Sequence, residues 1–242
     1  MNLAEYLEKW GRTLFESPLA TAPNPDEPPE LAEIRLAVLD QIREKSYPAG
    51  GKKVFPFDLL RVTMREIDPP IWRLVRVPDA FTLHQLHRVL QIVFSRLDYH
   101  LYAFEVDGRR FEAPDPEAEH PSEDATVTRL RDLGLSAGSQ FMYVYDFGDD
   151  WEHDVMVERI LPMPPETGPD WSPRLIGGNR AAPPEDAGGP HGYAAMINAL
   201  GDPEHPEHAG YRQWVGPGYD PGRFDAWSLD HALALVAAWG AI

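Results

Sequence analysis

The chain of 242 residues has no cysteine. That excludes disulfide scaffolds, zinc ribbons, iron–sulfur clusters and thiol nucleophiles together. Basic residues are scarce as well: Lys+Arg 22 against Asp+Glu 39 leave a formal net charge of −17. A generally basic nucleic-acid coat is thereby excluded, because nonspecific binding needs cations that displace counterions from phosphate. Long apolar runs are missing too. The longest, Ala232 to Ala238, falls far short of the roughly 20 residues that cross a bilayer. Met1 to Phe15 carries Glu5, Glu8, Lys9 and Arg12, so it holds no uncharged export core. The expectation is a cytoplasmic protein with no membrane partner. No Gly-x-Ser-x-Gly elbow, His-Glu-x-x-His pair or Gly-x-Gly-x-x-Gly fingerprint occurs.

What is present is an ordinary globular balance, 43% hydrophobic and 25% charged, with apolar mass for a sizeable core. Proline, at 25 residues, is about twice as frequent as usual, so many connections are stiff and extended. Two short helical patterns open the chain: Leu3, Tyr6, Leu7, Trp10 and Leu14, then Leu31, Ile34, Val38 and Ile42. A linker holding Pro18, Pro23, Pro25, Pro28 and Pro29 separates them. Residues 1–50 therefore read as an N-terminal helical extension that buries its stripes on the main domain or on a second copy.

Residues 51–242 read as one α+β domain with a mixed, mainly antiparallel sheet, an early crossover helix and C-terminal helices. Leu60, Val62 and Met64 alternate with Arg61, Thr63 and Arg65, and Ile71 to Val77 forms a second strand after Asp68-Pro69-Pro70. Thr82 and Gln85 form a capping-box pattern for a helix with Leu83, Leu86, Leu90, Val93 and Phe94 on its apolar face. Leu101 to Val106 and Arg109 to Phe111 flank an Asp-Gly hairpin signal. Glu112 to Asp124, with six acids and three prolines, reads as a solvated loop. A short helix near Val127 to Leu133 precedes the strongest strand pair, Phe141 to Phe147 and Trp151 to Ile160. A Pro- and Gly-rich stretch follows to Pro190, then helices at Gly192 to Leu200, near Glu204 to Trp214, and from a Ser228 cap to a Gly240 stop.

Two segments carry candidate chemistry. In the hairpin Tyr143 to His153, a three-residue loop would set Phe147 opposite Trp151, Asp146 opposite Glu152 and Tyr145 opposite His153. Asp146, Glu152 and Asp154 would then share a face, a repulsion of roughly 0.2–1 kcal/mol per facing pair that a cation offsets. Carboxylates with one imidazole suit Mg²⁺, Mn²⁺ or Zn²⁺. The competing reading gives Gly148 and Asp149 turn duty and Asp146 a capping role. In Gly177 to Tyr193, Glu185-Asp186 stands before Gly188-Gly189 and a helix start, an arrangement for holding a cation or for capping and close packing. His84, His87 and His100 read as polar-face or buried, hydrogen-bonded histidines. Finally, Lys52 to Arg96 carries eight basic residues and four acids, +4 locally against −21 for the remainder. Those arginines either contact phosphate or pair with the protein's own acids, and the second reading is the commoner outcome.

Several of these residues fall into a known order: Pro70-Ile-Trp-Arg73, Thr82-Leu83, Leu86-His87, His100-Leu101 with Phe104, Tyr145-Asp-Phe-Gly-Asp-Asp-Trp-Glu-His153, Pro183-Pro-Glu-Asp186 and Gly188-Gly189. In this the chain, over roughly Val54 to Trp227, resembles the plasmid pRiA-type ORF-three-like family, also called transposon-passenger TnpR-like proteins. The resemblance implies an α+β fold, an association with mobile elements and no established activity. Two positions depart from it: Ser95-Arg96 stands where many members have Gly-Trp, and Ala182 where many have Cys. No role can rest on that Cys here. A resolvase activity finds no support either, since Leu229 to Trp239 has no Lys or Arg.

The leading expectation is a non-enzymatic binding or adaptor domain with an acidic, aromatic-rimmed cleft for a protein or small ligand. Its candidate lining is His100, Tyr145, Asp146, Asp149, Trp151, His153, Glu185, Asp186, Gly188, Gly189 and Tyr193. The alternatives are a metal-dependent hydrolase or nuclease holding a divalent cation on Asp146, Asp149, His153, Glu185 and Asp186, and a nucleic-acid-associated protein using the Arg strands.

Overall fold

A computed structural model describes residues 57–115, 121–161, 172–238 and 242. The two N-terminal helices expected from the sequence, and the Gly240 stop, lie outside these residues. Among the described residues, eight strands form one sheet: β1 (Phe57–Met64), β2 (Trp72–Pro78), β3 (Tyr102–Val106), β4 (Arg109–Glu112), β5 (Glu123–Asp124), β6 (Gln140–Tyr145), β7 (Trp151–Leu161) and β8 (Arg174–Asn179). Their spatial order is β5-β4-β3-β6-β7-β1-β2-β8. Every pairing is antiparallel except β4 with β5. Four α-helices accompany them among the same residues: α1 (Leu83–Val93), α2 (Gly189–Gly201), α3 (His208–Val215) and α4 (Ala226–Ala238). The fold is α+β, as the order of patterns implies.

Strand alternation decides which face is covered. Leu60, Val62 and Met64 of β1 are buried, as are Val75 and Val77 of β2, and all join one core with Leu83, Leu86, Leu90, Val93 and Phe94. The helix supplying that face, α1, starts on the expected capping box: the Gln85 amide donates to Thr82 Oγ1 and the Thr82 amide to Gln85 Oε1. It crosses from β2 to β3 over β1, β7 and β6. Full burial of its large aliphatic side chains is worth about 1.5–3 kcal/mol each, enough to place this crossover without further help.

The opposite face answers the question raised by the arginines. Arg61 pairs with Glu158 and stacks over Trp72 at 4.3 Å. Arg65 bridges Glu152 at 2.8 Å and Asp154 at 2.6 Å. Arg73 instead enters the core between Phe94 and Phe224, where it donates to the carbonyls of Trp72, Val93, Asn179 and Arg180. Burial pulls its pKa down to about 9. Arg88 binds Asp98, and Arg96 binds Glu185. These arginines are spent on their own protein, so among the described residues the strand faces present no row of free cations for phosphate.

Several boundaries differ from the sequence reading. The stretch before Pro190 contains a strand, β8, whose Gly178 accommodates Phe224: a Cβ there would lie 2.5 Å from the ring and 2.8 Å from the Trp72 carbonyl oxygen. Glu123–Asp124, read as loop, adds a short parallel strand to β4. The helix near Val127 is a single 3₁₀ turn, Leu130–Leu133. The last helix begins at Ala226, and Asp225 rather than Ser228 caps it, accepting from the Ser228 amide at 3.1 Å.

Candidate functional site

Three connections meet beyond the β6–β7 turn: the segment 94–101 between α1 and β3, the turn 146–150, and the loop 180–188 leading into α2. The turn departs from the expected register. Tyr145 faces Trp151, Val144 faces Glu152 and Tyr143 faces His153, so five residues form the connection. The cause is Asp146, which adopts φ 60° and folds its Oδ1 back onto the amides of Gly148 (3.0 Å) and Asp149 (3.3 Å). Such an Asx turn suits Asp in the left-handed region. The acidic face proposed from a three-residue loop does not form, because Glu152 and Asp154 turn to Arg65 while Asp146 turns away.

The segment 94–101 is fixed from below by a closed ring of hydrogen bonds. The Asp98 amide donates to Gln91 Oε1 (3.0 Å), and Gln91 Nε2 donates to the Tyr143 hydroxyl (3.0 Å). That hydroxyl lies 2.9 Å from His87 Nδ1, and His87 Nε2 lies 2.6 Å from Asp98 Oδ1. A neutral imidazole protonated on Nε2 satisfies every member of the ring. Burial lowers the His87 pKa, and the hydrogen bond from His87 lowers that of Asp98. Tyr102 stacks on His87 at 3.7 Å, and its hydroxyl reaches His84 Nδ1 at 2.8 Å. These histidines are structural.

The same segment is fixed laterally by Glu185. Its carboxylate accepts from the Leu97 amide (2.7 Å), the Tyr145 hydroxyl (3.1 Å) and Arg96 Nη1 (3.2 Å). Burial, then the Glu185 charge, pushes the Tyr145 pKa up. Asp149 ties the turn to the third loop, its Oδ2 accepting from the Gly188 amide at 3.0 Å. Gly189, at φ +68°, lies so close that a Cβ would sit 2.5 Å from the Asp149 carbonyl oxygen. Glycine is required there on both counts.

What remains at the junction is His100, Asp146 and Asp186, each able to bring one ligand atom within 4.8 Å of the others. His100 Nε2 lies 3.2 Å from Asp186 Oδ1 and 3.5 Å from Asp146 Oδ2. These are ion-pair distances if the ring is protonated, yet neither contact has hydrogen-bond geometry, and Nε2 is buried without a hydrogen-bond partner. Tyr145 meets the ring edge-on at 5.8 Å, and Tyr99, 57% exposed, flanks it at 4.9 Å. Leu97 and Leu101 are exposed on the same segment.

The five groups proposed from the sequence as cation ligands therefore do not converge. Asp146 and Asp186 do, together with His100. Glu185 and Asp149 hold the loops, and His153 lies in the core beside Phe94 and Tyr143, where burial drops its pKa to about 3. Trp151 and Tyr193 are core residues. Arg96 and Asp98 went unrecognised as organisers of the site; the only sequence signal was a polar cluster just past a helix end.

The sequence matches the family described as plasmid pRiA4b ORF-3-like protein over residues 58–228. It is 36% identical over 183 residues to the uncharacterized protein y4hQ of Sinorhizobium fredii, covering 74% of this chain and 92% of that one. The structure resembles that of MM3350 from Methanosarcina mazei Go1, a protein of unknown function, with a TM-score of 0.66 and 33% identity over 73% of this chain and 98% of the other. No described helix is long and apolar enough to cross a membrane. Matched across well over half its length, the chain belongs to the plasmid pRiA4b ORF-3-like family.

Proposed function

We propose that the protein is a binding domain for a positively charged ligand, with its site where segment 94–101, the turn 146–150 and the loop 180–188 meet. One observation carries this reading: of the polar groups gathered there, His100, Asp146 and Asp186 leave a nitrogen and two carboxylate oxygens facing one another without a hydrogen bond between them. Two carboxylates drawn together repel unless a cation lies between them. Exposed Tyr99, Leu97 and Leu101 offer apolar contact beside the charges, the combination that small-ligand sites use. Hydrolysis or nuclease action is less favoured, because Glu185 and Asp149, two of the carboxylates that such a reading would use, are engaged in holding the loops. Nucleic acid would need the arginines that the sheet already uses. The mobile-element association implied by the family resemblance adds no chemistry to this site.

The test is a thermal-shift and calorimetric panel of Zn²⁺, Mn²⁺, spermidine and arginine methyl ester. At least one should raise the melting temperature of the wild type and fail to do so in the Asp146→Asn/Asp186→Asn double variant. A panel in which no cation stabilises the wild type rejects the reading.

A further inference from the structure

Resting on that cation-binding reading, we infer that the ligand is a divalent transition-metal ion held by His100 Nε2, Asp146 Oδ2 and Asp186 Oδ1, with its remaining positions open. The spacing is the first argument. Ligands at about 2.0–2.1 Å from a tetrahedral ion stand about 3.3–3.4 Å apart, and the two distances from Nε2 are 3.2 and 3.5 Å. The second is the unsatisfied nitrogen: a buried imidazole nitrogen without a partner costs free energy, and a metal bond supplies the partner that the neighbouring oxygens, off hydrogen-bond geometry, do not.

The third argument is support. Metal ligands need a rigid surround that fixes their direction. Asp146 is fixed through Oδ1 by the Gly148 and Asp149 amides, which leaves Oδ2 to face His100. His100 rides on a segment fixed by the His87–Asp98 contact and by Glu185. Asp186 follows Glu185 directly, in a left-handed conformation at φ 56°. The donor set selects among ions. An imidazole with two carboxylates suits Zn²⁺ or Mn²⁺ better than Mg²⁺ or Ca²⁺, which take oxygen ligands. Only three protein donors converge among the described residues, so the ion keeps positions for water or for a donor atom of a second molecule, and the aromatic Tyr99 stands beside them.

Calorimetry on the full chain, stripped with a chelator and dialysed, tests this with Zn²⁺ and Mn²⁺ as probes. One ion per chain should bind, and His100→Ala, Asp146→Asn and Asp186→Asn should each weaken it at least tenfold. The Asp146→Asn change keeps a side-chain acceptor for the turn, so circular dichroism and melting temperature of that variant without ion should match the wild type. His191→Ala, on the exposed start of α2, should change nothing. Absence of saturable metal binding overturns the metal site, as does binding that survives His100→Ala unchanged. If spermidine or arginine methyl ester then binds through Asp146 and Asp186 without His100, the metal assignment falls and the cation-binding reading stands; if no cation binds, both fall.

Discussion

Segment 94–101 separates two polar clusters of similar composition and opposite state. Beneath it, His87, Gln91, Asp98 and Tyr143 close a ring in which each donor has an acceptor. Above it, His100, Asp146 and Asp186 bring donor atoms together and leave the imidazole nitrogen without a hydrogen bond. Both contain a histidine beside a carboxylate, and a tyrosine lies against each ring. Residue type therefore does not distinguish structure from site; hydrogen-bond satisfaction does. A satisfied buried ring rigidifies a fold, whereas a half-satisfied cluster costs stability unless something fills it.

That contrast is breakable by mutation. The largest effect belongs to the lower cluster: His87→Ala opens a cavity and takes one partner each from the Tyr143 hydroxyl and Asp98 Oδ1, at a cost of about 2–4 kcal/mol in stability. Urea unfolding should show it, while His100→Ala in the ion-free protein should stay within about 0.5 kcal/mol of the wild type. Equal losses at the two histidines would erase the distinction.

The next effect is one of pH, and it concerns a third histidine that has no carboxylate beside it. His153 is neutral in the fold down to about pH 3, whereas an unfolded imidazole protonates near pH 6.5. Its folded pKa is the lower one, so the stability it contributes is present above about pH 6.5 and is lost as pH falls toward 3. The loss amounts to about 2 kcal/mol between pH 7 and pH 5. His153→Phe should flatten that part of the stability profile, and a profile as steep as the wild type's would show that other groups control it. The smallest effect is at the rim. Tyr99→Ala should move stability by less than about 0.5 kcal/mol and leave metal affinity unchanged in calorimetry, because the exposed ring holds no ligand atom.

The parts of this architecture with local causes were legible in the sequence. The Thr82–Gln85 box, the alternation of Leu60, Val62 and Met64, and the pairing of β6 with β7 all depend on neighbours in the chain. The turn register was not, because Asp146, whose carboxylate accepts from the Gly148 and Asp149 amides, does not continue the strand. β8 was hidden behind paired glycines, and Gly178 makes room for Phe224, 46 positions away. At the site, Asp146, Asp186 and His100 were each singled out, but their grouping was not. Glu185 looked equivalent to Asp186, yet its carboxylate turns inward to Arg96, 89 residues earlier. His153 looked available, yet strand parity places it with Tyr143 and Trp151 on the covered face. Long-range partners decided β8 and the Glu185 carboxylate, whereas the turn register and the parity of His153 follow from the local fold of Asp146.

Anomalous diffraction tests the central claim most directly. Crystals of the full chain grown with Mn²⁺, measured near the manganese absorption edge, should show one strong peak within bonding distance of His100 Nε2, Asp146 Oδ2 and Asp186 Oδ1, and none at the His87–Asp98 ring. A well-ordered site with no peak between those three atoms, or a peak seated elsewhere, would contradict the account.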